Sequence, residues 1–87
     1  MSVIHKYVIG AKKCALLMPC GARILAVHEQ HNTVCLWAQV DPEADKEFRH
    51  FRVYGTGHEI PDAALTYLGT VFIDGGHLVW HVYEDIL

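Results

Sequence analysis

Seven histidines stand out in this chain of 87 residues, because imidazole binds metals and exchanges protons near neutral pH. His77 and His81 are four residues apart, a spacing that would place two ligands on one face of a helix. On a strand, the same spacing separates the two Cα atoms by roughly 13 Å, too far for both rings to hold one ion. His28 and His31 flank a predicted turn, but no cysteine or second histidine pair lies at zinc-finger spacing. We therefore expect no metal site and no cofactor.

A hydrolase would need a nucleophile, a general base and an acid that orients the base. Cys20, His58 and Asp62 are the candidates, and nothing in their spacing brings them together. The three cysteines are an odd number without Cys-x-x-Cys spacing, which is typical of reduced thiols in a cytosolic chain. The sequence predicts a protein that is not an enzyme.

The segment Gly55-Thr56-Gly57-His58 has backbone amides that could converge on an anion. It lacks the Lys-Ser/Thr pair of a nucleoside-triphosphate loop and the third glycine of a dinucleotide-binding fingerprint. Two glycines directly after a strand are more typical of a tight turn. A turn is the favoured interpretation, and anion binding remains the alternative.

The composition excludes several classes of protein. Hydrophobic residues make up 52% and charged residues 20%, as in a folded globular domain. The longest apolar stretch, residues 15–27, is interrupted and falls short of the ~20 residues of a membrane span. The first six residues do not resemble a signal peptide, so we expect a cytoplasmic protein without membrane association. The net charge of −3 disfavours nucleic-acid binding.

The elements that must position these residues are β-strands. Segments rich in β-branched and aromatic residues recur about every ten residues, between turn residues. We predict strands at residues 3–9, 14–18, 22–28, 33–40, 47–54, 67–73 and 77–83. The connections at 29–32 and 74–76 predict hairpins, and residues 61–64 are the only candidate for a helical turn. The chain, residues 1–87, is thus predicted to be one all-β domain, an antiparallel barrel or sandwich.

Two faces of the predicted sheets both look apolar. In residues 33–40 the even-numbered positions form a core row, and Trp37 belongs to the other row. In the last strand, His81 and Tyr83 belong to the row of side chains on one face, and Trp80 belongs to the row on the other face. If Trp37, the His81–Tyr83 row and either Phe48 or Phe51 share an outer face, that face exposes more aromatic surface than a monomer leaves in water. This predicts self-association or docking onto another protein, unless a closed barrel buries these residues.

Much of the chain resembles an uncharacterised family of small proteins from bacteriophages, prophages and bacteria. The similar segments are residues 4–7, 18–27, 36–42, 51–61, 67–70 and 75–83. Gly-Thr-Gly-His at 55–58 and Leu-Val-Trp-His at 78–81 are the most specific. The resemblance implies a phage or prophage accessory protein in the bacterial cytoplasm, and it implies that these two segments form the site. Cys20 departs from the family pattern, which argues against it as a nucleophile.

We therefore predict a non-enzymatic binding module, a homo-oligomer, that acts on a host protein, for example by interfering with host defence. The first alternative is a protein that binds an anionic metabolite or signalling nucleotide, with Gly55, Gly57 and His58 holding the anion. The second is a minor virion component. The predicted binding residues are Trp37, Gly55, Thr56, Gly57, His58, Trp80, His81 and Tyr83.

Overall fold

A computed structural model describes residues 1–86, and its only regular elements there are seven strands and one 3₁₀ turn. The strands are β1 (Val3–Val8), β2 (Lys13–Pro19), β3 (Arg23–Gln30), β4 (Thr33–Val40), β5 (Lys46–Gly55), β6 (Leu65–Ile73) and β7 (Leu78–Asp85). The prediction of an all-β fold with seven short strands is confirmed.

The strands form two antiparallel sheets. The three-stranded sheet has the order β1-β4-β3, and the four-stranded sheet has the order β2-β5-β7-β6. One hydrophobic core contains residues from both sheets, so the architecture is a sandwich. At one edge the sheets come close together: a Cβ added at Gly69 of β6 would lie 3.6 Å from the Cβ of Val27 of β3.

Both predicted hairpins are present. The β3–β4 turn is shorter than predicted, with His31 and Asn32 in the left-handed region at φ 54° and 59°, as in a two-residue type I′ turn. Asp74–Gly76 forms the 3₁₀ turn between β6 and β7. The Asp74 N–H donates to the Asn32 side-chain oxygen over 2.8 Å, and this bond joins the two hairpin tips.

The prediction of a helical turn at residues 61–64 is wrong. This segment contains bends and no helix. The Ile86 N–H donates to the Ala64 carbonyl over 3.0 Å, so the chain here extends the β6–β7 pairing instead of coiling. The single helical turn of the described chain is the one at Asp74–Gly76.

The core follows the alternation of side chains along each strand. The even-numbered residues of β4 all point inward and are buried, as predicted. Phe51 of β5 and Val82 of β7 are 0% exposed and come from the other sheet. In β6, a bulge between Tyr67 and Gly69 shifts the register and lets Leu68 pack against the core.

Candidate functional site

The outward side of the four-stranded sheet carries a patch that we call the aromatic face. The pairing register places its members on one side of the sheet. They are Leu17, Phe48, Tyr54, Tyr67, Phe72, Val79, His81 and Tyr83. Phe48 is 63% exposed, Phe72 62% and Tyr67 55%, so the large rings at its edges are open to solvent.

His81 lies within this face and is held through both ring nitrogens. Its Nε2 is 2.9 Å from the Thr56 Oγ1, and its Nδ1 is 3.0 Å from the Thr70 Oγ1. The Thr70 hydroxyl also hydrogen-bonds to the Tyr67 hydroxyl. Which atom donates in each bond depends on the tautomer of the ring. This chain of bonds fixes the ring and connects β6, β7 and the turn after β5.

Three tyrosines pack edge to face beside His81. The ring centroids of Tyr54 and Tyr83 are 5.8 Å apart, and those of Tyr67 and Tyr83 are 5.4 Å apart. Tyr83 is thus in contact with a ring on each neighbouring strand, which is the favourable geometry for aromatic pairs. These contacts give the centre of the face a defined shape.

The Gly55–His58 segment is a tight turn, as the sequence favoured. The His58 N–H donates to the Gly55 carbonyl over 3.0 Å, and the Gly55 N–H donates to the His58 Nδ1 over 3.2 Å. The Gly55 amide is therefore used within the turn and does not face an anion. Gly57 is needed for its φ of +88°. A Cβ at position 55 would lie 2.8 Å from the His58 ring, so a larger residue there requires this ring to move.

Trp80 belongs to the inward row of β7 and packs against the core. The His58 ring meets it edge-on, with centroids 6.4 Å apart, and the Lys12 Nζ lies 5.4 Å from its centroid. The two most specific segments of the family resemblance, residues 55–58 and 78–81, therefore make two contacts with each other. Thr56 bonds to His81, and His58 contacts Trp80.

Most of the predicted binding residues come together at the β5–β7 end of this sheet. The exception is Trp37, which lies in β4 of the other sheet and pairs with Lys6 and Ala26. It cannot share a face with His81, because β4 and β7 belong to different sheets. Of the two phenylalanines considered, Phe48 lies on the aromatic face and Phe51 is in the core. The hypothesis of one shared face therefore fails for Trp37, and its requirement for one of the two phenylalanines is met by Phe48.

The candidates for nucleophilic chemistry are not assembled. Cys20 follows Pro19, which pairs with Lys46 at the start of β5, whereas His58 follows Gly55 at its end. A whole strand of roughly 30 Å separates these two ends. Within residues 1–86 no group of three or more His, Cys, Asp or Glu side chains is arranged to hold a metal ion.

Arg49 and Arg52 of β5 are each paired with a carboxylate of β7. The Arg49 Nε lies 2.6 Å from a Glu84 oxygen, and the Arg52 Nη2 lies 2.8 Å from an Asp85 oxygen. The hydrogen bond to Glu84 raises the pKa of Arg49 above its ordinary value. These ion pairs therefore link two neighbouring strands of the four-stranded sheet.

Sequence reasoning missed several residues of the site, chiefly Thr70, Tyr67, Tyr54 and Phe72. Thr70 pairs directly with His81, and Tyr67 pairs directly with Tyr83. The predicted β6–β7 hairpin was the signal that could have found the three β6 residues Tyr67, Thr70 and Phe72, whereas Tyr54 lies in β5. The register of this hairpin depends on the bulge before Gly69, and no local feature of the sequence predicts that bulge.

The fold and the site define a small two-sheet β-sandwich with an aromatic face on one sheet and a hydrogen-bonded histidine in that face. A family described as a domain of unknown function (DUF7352) matches residues 1–86, and the chain belongs to this family. No curated protein and no solved structure matches the chain. In the described residues no helix has the length and apolar character needed to cross a membrane.

Proposed function

We propose that this protein is a non-catalytic binding module that docks another protein chain through the aromatic face. The observation that carries the proposal is the exposure of Phe48, Tyr67 and Phe72, which are more than half open to solvent on one side of one sheet. The Arg52–Asp85 ion pair lies on the same side of the sheet, between Phe48 and the tyrosines, so the exposed apolar surface has two parts. Exposed apolar surface of this kind marks interaction sites in globular proteins. Tyrosine and phenylalanine are also the residues enriched at the centres of protein interfaces.

The hydrogen bonds within the face support docking of a protein surface. His81 is fixed by Thr56 and Thr70, and Tyr83 is packed between two other tyrosines. Side chains that are already ordered lose little conformational entropy when a partner covers them. The face therefore has rigid aromatic residues at its centre and exposed phenylalanines at its edges, which suits a preformed docking surface.

The resemblance to phage and prophage proteins extends the proposal to the partner. In that setting the partner is a host protein or a second copy of this chain, in the bacterial cytoplasm. Interference with a host defence protein is one form that the interaction takes.

Two exposed residues provide a matched test. Phe72 on the aromatic face is 62% exposed, and Ile4 on the three-stranded sheet is 61% exposed. Phe72→Ser and Ile4→Ser remove similar apolar area, and neither disturbs the core. Light scattering gives the solution mass of each variant, and capture from bacterial lysate, quantified by mass spectrometry, gives its partners. The proposal expects association or capture by the wild type and by Ile4→Ser, with loss in Phe72→Ser. Equal behaviour of the two variants contradicts it.

A depression beside the glycine turn favours a second candidate function, the binding of a small anion. It has a volume of about 220 Å³, and its lining includes Thr56, His58, His77 and Trp80. Two imidazoles near one opening suit a phosphate or carboxylate group. A ligand at a hundred times its dissociation constant stabilises a protein by roughly 2.7 kcal/mol. A thermal-shift screen of nucleotides and acidic metabolites tests this function, and a flat response to the whole panel contradicts it.

A further inference from the structure

The connection between β1 and β2 lines one side of an open cavity, which is separate from the aromatic face. The connection crosses from one sheet to the other: the Ile9 N–H donates to the Val34 carbonyl of β4, and the Lys12 carbonyl accepts from the Val53 N–H of β5. These bonds, of 2.9 and 2.8 Å, hold the connection at the open end of the sandwich. The cavity that it lines has a volume of about 210 Å³ and opens to solvent.

The wall of this cavity is mainly apolar. It is lined by Ile9, Gly10, Ala11, Lys12, Val34, Val53 and Trp80. Ile9, Val34 and Val53 are at most 8% exposed, so the cavity reaches the hydrophobic core. The Ile9 N–H and the Lys12 carbonyl are already paired with backbone groups. The cavity therefore offers apolar contacts to whatever enters it.

Lys12 is the charged group among the lining residues. Its ammonium lies 5.4 Å from the centroid of the Trp80 ring, a distance at which a cation is attracted to the ring face. The ion pairs within residues 1–86 are those of Arg49 with Glu84 and Arg52 with Asp85, so Lys12 has no carboxylate partner there. The Lys12 ammonium, which pairs with no carboxylate of residues 1–86, thus lies beside an apolar cavity.

From this combination we infer that the cavity binds a small aromatic carboxylate. The ring occupies the space between Val34, Val53 and Trp80, and the carboxylate pairs with the Lys12 ammonium. The size fits, because an engineered cavity of about 150 Å³ holds benzene. The additional volume of this cavity, about 210 Å³ in all, has room for a short acidic side chain on the ring. A nucleotide is too large to enter. The site goes beyond the proposed docking function, because Trp80 faces inward whereas the docking residues face outward.

The test is an NMR titration of ¹⁵N-labelled protein with 3-phenylpropionate and, separately, with its neutral amide. The amide has the same shape without the charge. The acid is expected to give saturable shifts at the Gly10 and Ala11 amides and the Trp80 indole. The amide is expected to bind about tenfold more weakly, because its uncharged oxygen accepts a weaker hydrogen bond from the Lys12 ammonium than a carboxylate does.

Three variants separate the contribution of the Lys12 charge to binding from that of the cavity itself. Lys12→Met is expected to weaken binding of the acid by about tenfold, to the level of the amide. Lys13→Met is the matched control, because Lys13 is the next residue and pairs with Arg52 outside the cavity; it is expected to bind the acid like the wild type. Gly10→Leu places a side chain at the opening and is expected to abolish binding of both compounds. The Gly10 backbone accepts it, because a Cβ there meets no atom within 4 Å.

The inference is overturned if the wild type gives no saturable shift up to about 10 mM acid, a range that covers weak binding of so small a ligand. It is also overturned if acid and amide bind equally, or if Lys12→Met and Lys13→Met bind the acid equally. None of these results bears on docking through the aromatic face. The cavity proposal and the docking proposal can therefore fail independently.

Discussion

The Nε2 of His81 lies 2.9 Å from the Oγ1 of Thr56, although 25 positions separate the two residues in the chain. This bond ties the turn after β5 to the middle of β7. The opposite ring nitrogen of His81 bonds to Thr70 of β6, so one imidazole joins three neighbouring parts of the sheet. His81 is therefore a structural centre of the aromatic face.

Removal of this imidazole should destabilise the protein. His81→Ala removes two side-chain hydrogen bonds, while Thr70 keeps its bond to Tyr67 and Thr56 is exposed to water, so the expected cost is about 1 kcal/mol. The free energy of unfolding, measured by urea denaturation, gives the cost. His50→Ala on the same side of the same sheet is the control, because His50 is exposed. Equal unfolding midpoints for the two variants would show that the bonds contribute nothing.

The requirement for glycine at position 55 should depend on His58. Gly55→Ala places a Cβ 2.8 Å from the His58 ring, so the ring must swing away and lose its bond to the Gly55 N–H. The expected cost is about 1 kcal/mol, as for a typical hydrogen bond. In a His58→Ala background the same substitution should cost much less. Urea denaturation of both single variants and the double variant measures the coupling, and additive costs would refute the prediction.

The three cysteines should react with iodoacetamide at different rates. Cys20 is exposed and should react first. Burial raises the pKa of the Cys14 thiol, so a smaller fraction is thiolate at any given pH and its alkylation should be slower. Cys35 is 1% exposed and should react only when the protein unfolds. Mass spectrometry of digested samples at successive times gives the order, and faster labelling of Cys14 than Cys20 would contradict it.

Arg49 should contribute more to stability than an exposed arginine. It makes a two-bond contact with Glu84, and its third nitrogen donates to the Ala22 carbonyl, directly before β3 of the other sheet. Arg49→Met leaves a half-buried carboxylate without its partner, at an expected cost of about 3 kcal/mol. Arg23→Met, at an exposed position of β3, is the control. Urea midpoints that fall equally for both would contradict this role.

The sequence was sufficient to predict the strands and the two hairpins. β-Branched and aromatic residues favour extended backbone, and Asp74-Gly75-Gly76 favours the left-handed conformations found there, with φ of 55°, 64° and 92°. These signals are local. They identified all seven strands with small errors at the ends.

The pairing of strands distant in the chain could not be predicted. Trp37 and His81 both lie in strands with alternating apolar residues, so the pattern alone could place them on one face. The structure puts β4 between β1 and β3, and β7 between β5 and β6. That order depends on how the two sheets bury the core together, which no single segment encodes. The Thr56–His81 bond and the cavity beside Lys12 follow from the same long-range order.

The most direct test of docking through the aromatic face uses the three phenylalanines of the chain, labelled with ¹⁹F. Phe48 and Phe72 lie on the face, 63% and 62% exposed, and Phe51 is 0% exposed in the core and serves as the internal control. The spectrum is recorded as a captured partner is added, or as the protein concentration is raised if the chain self-associates. We expect the Phe48 and Phe72 signals to shift and saturate together while Phe51 stays in place. Saturable binding that moves neither Phe48 nor Phe72 would contradict the proposal.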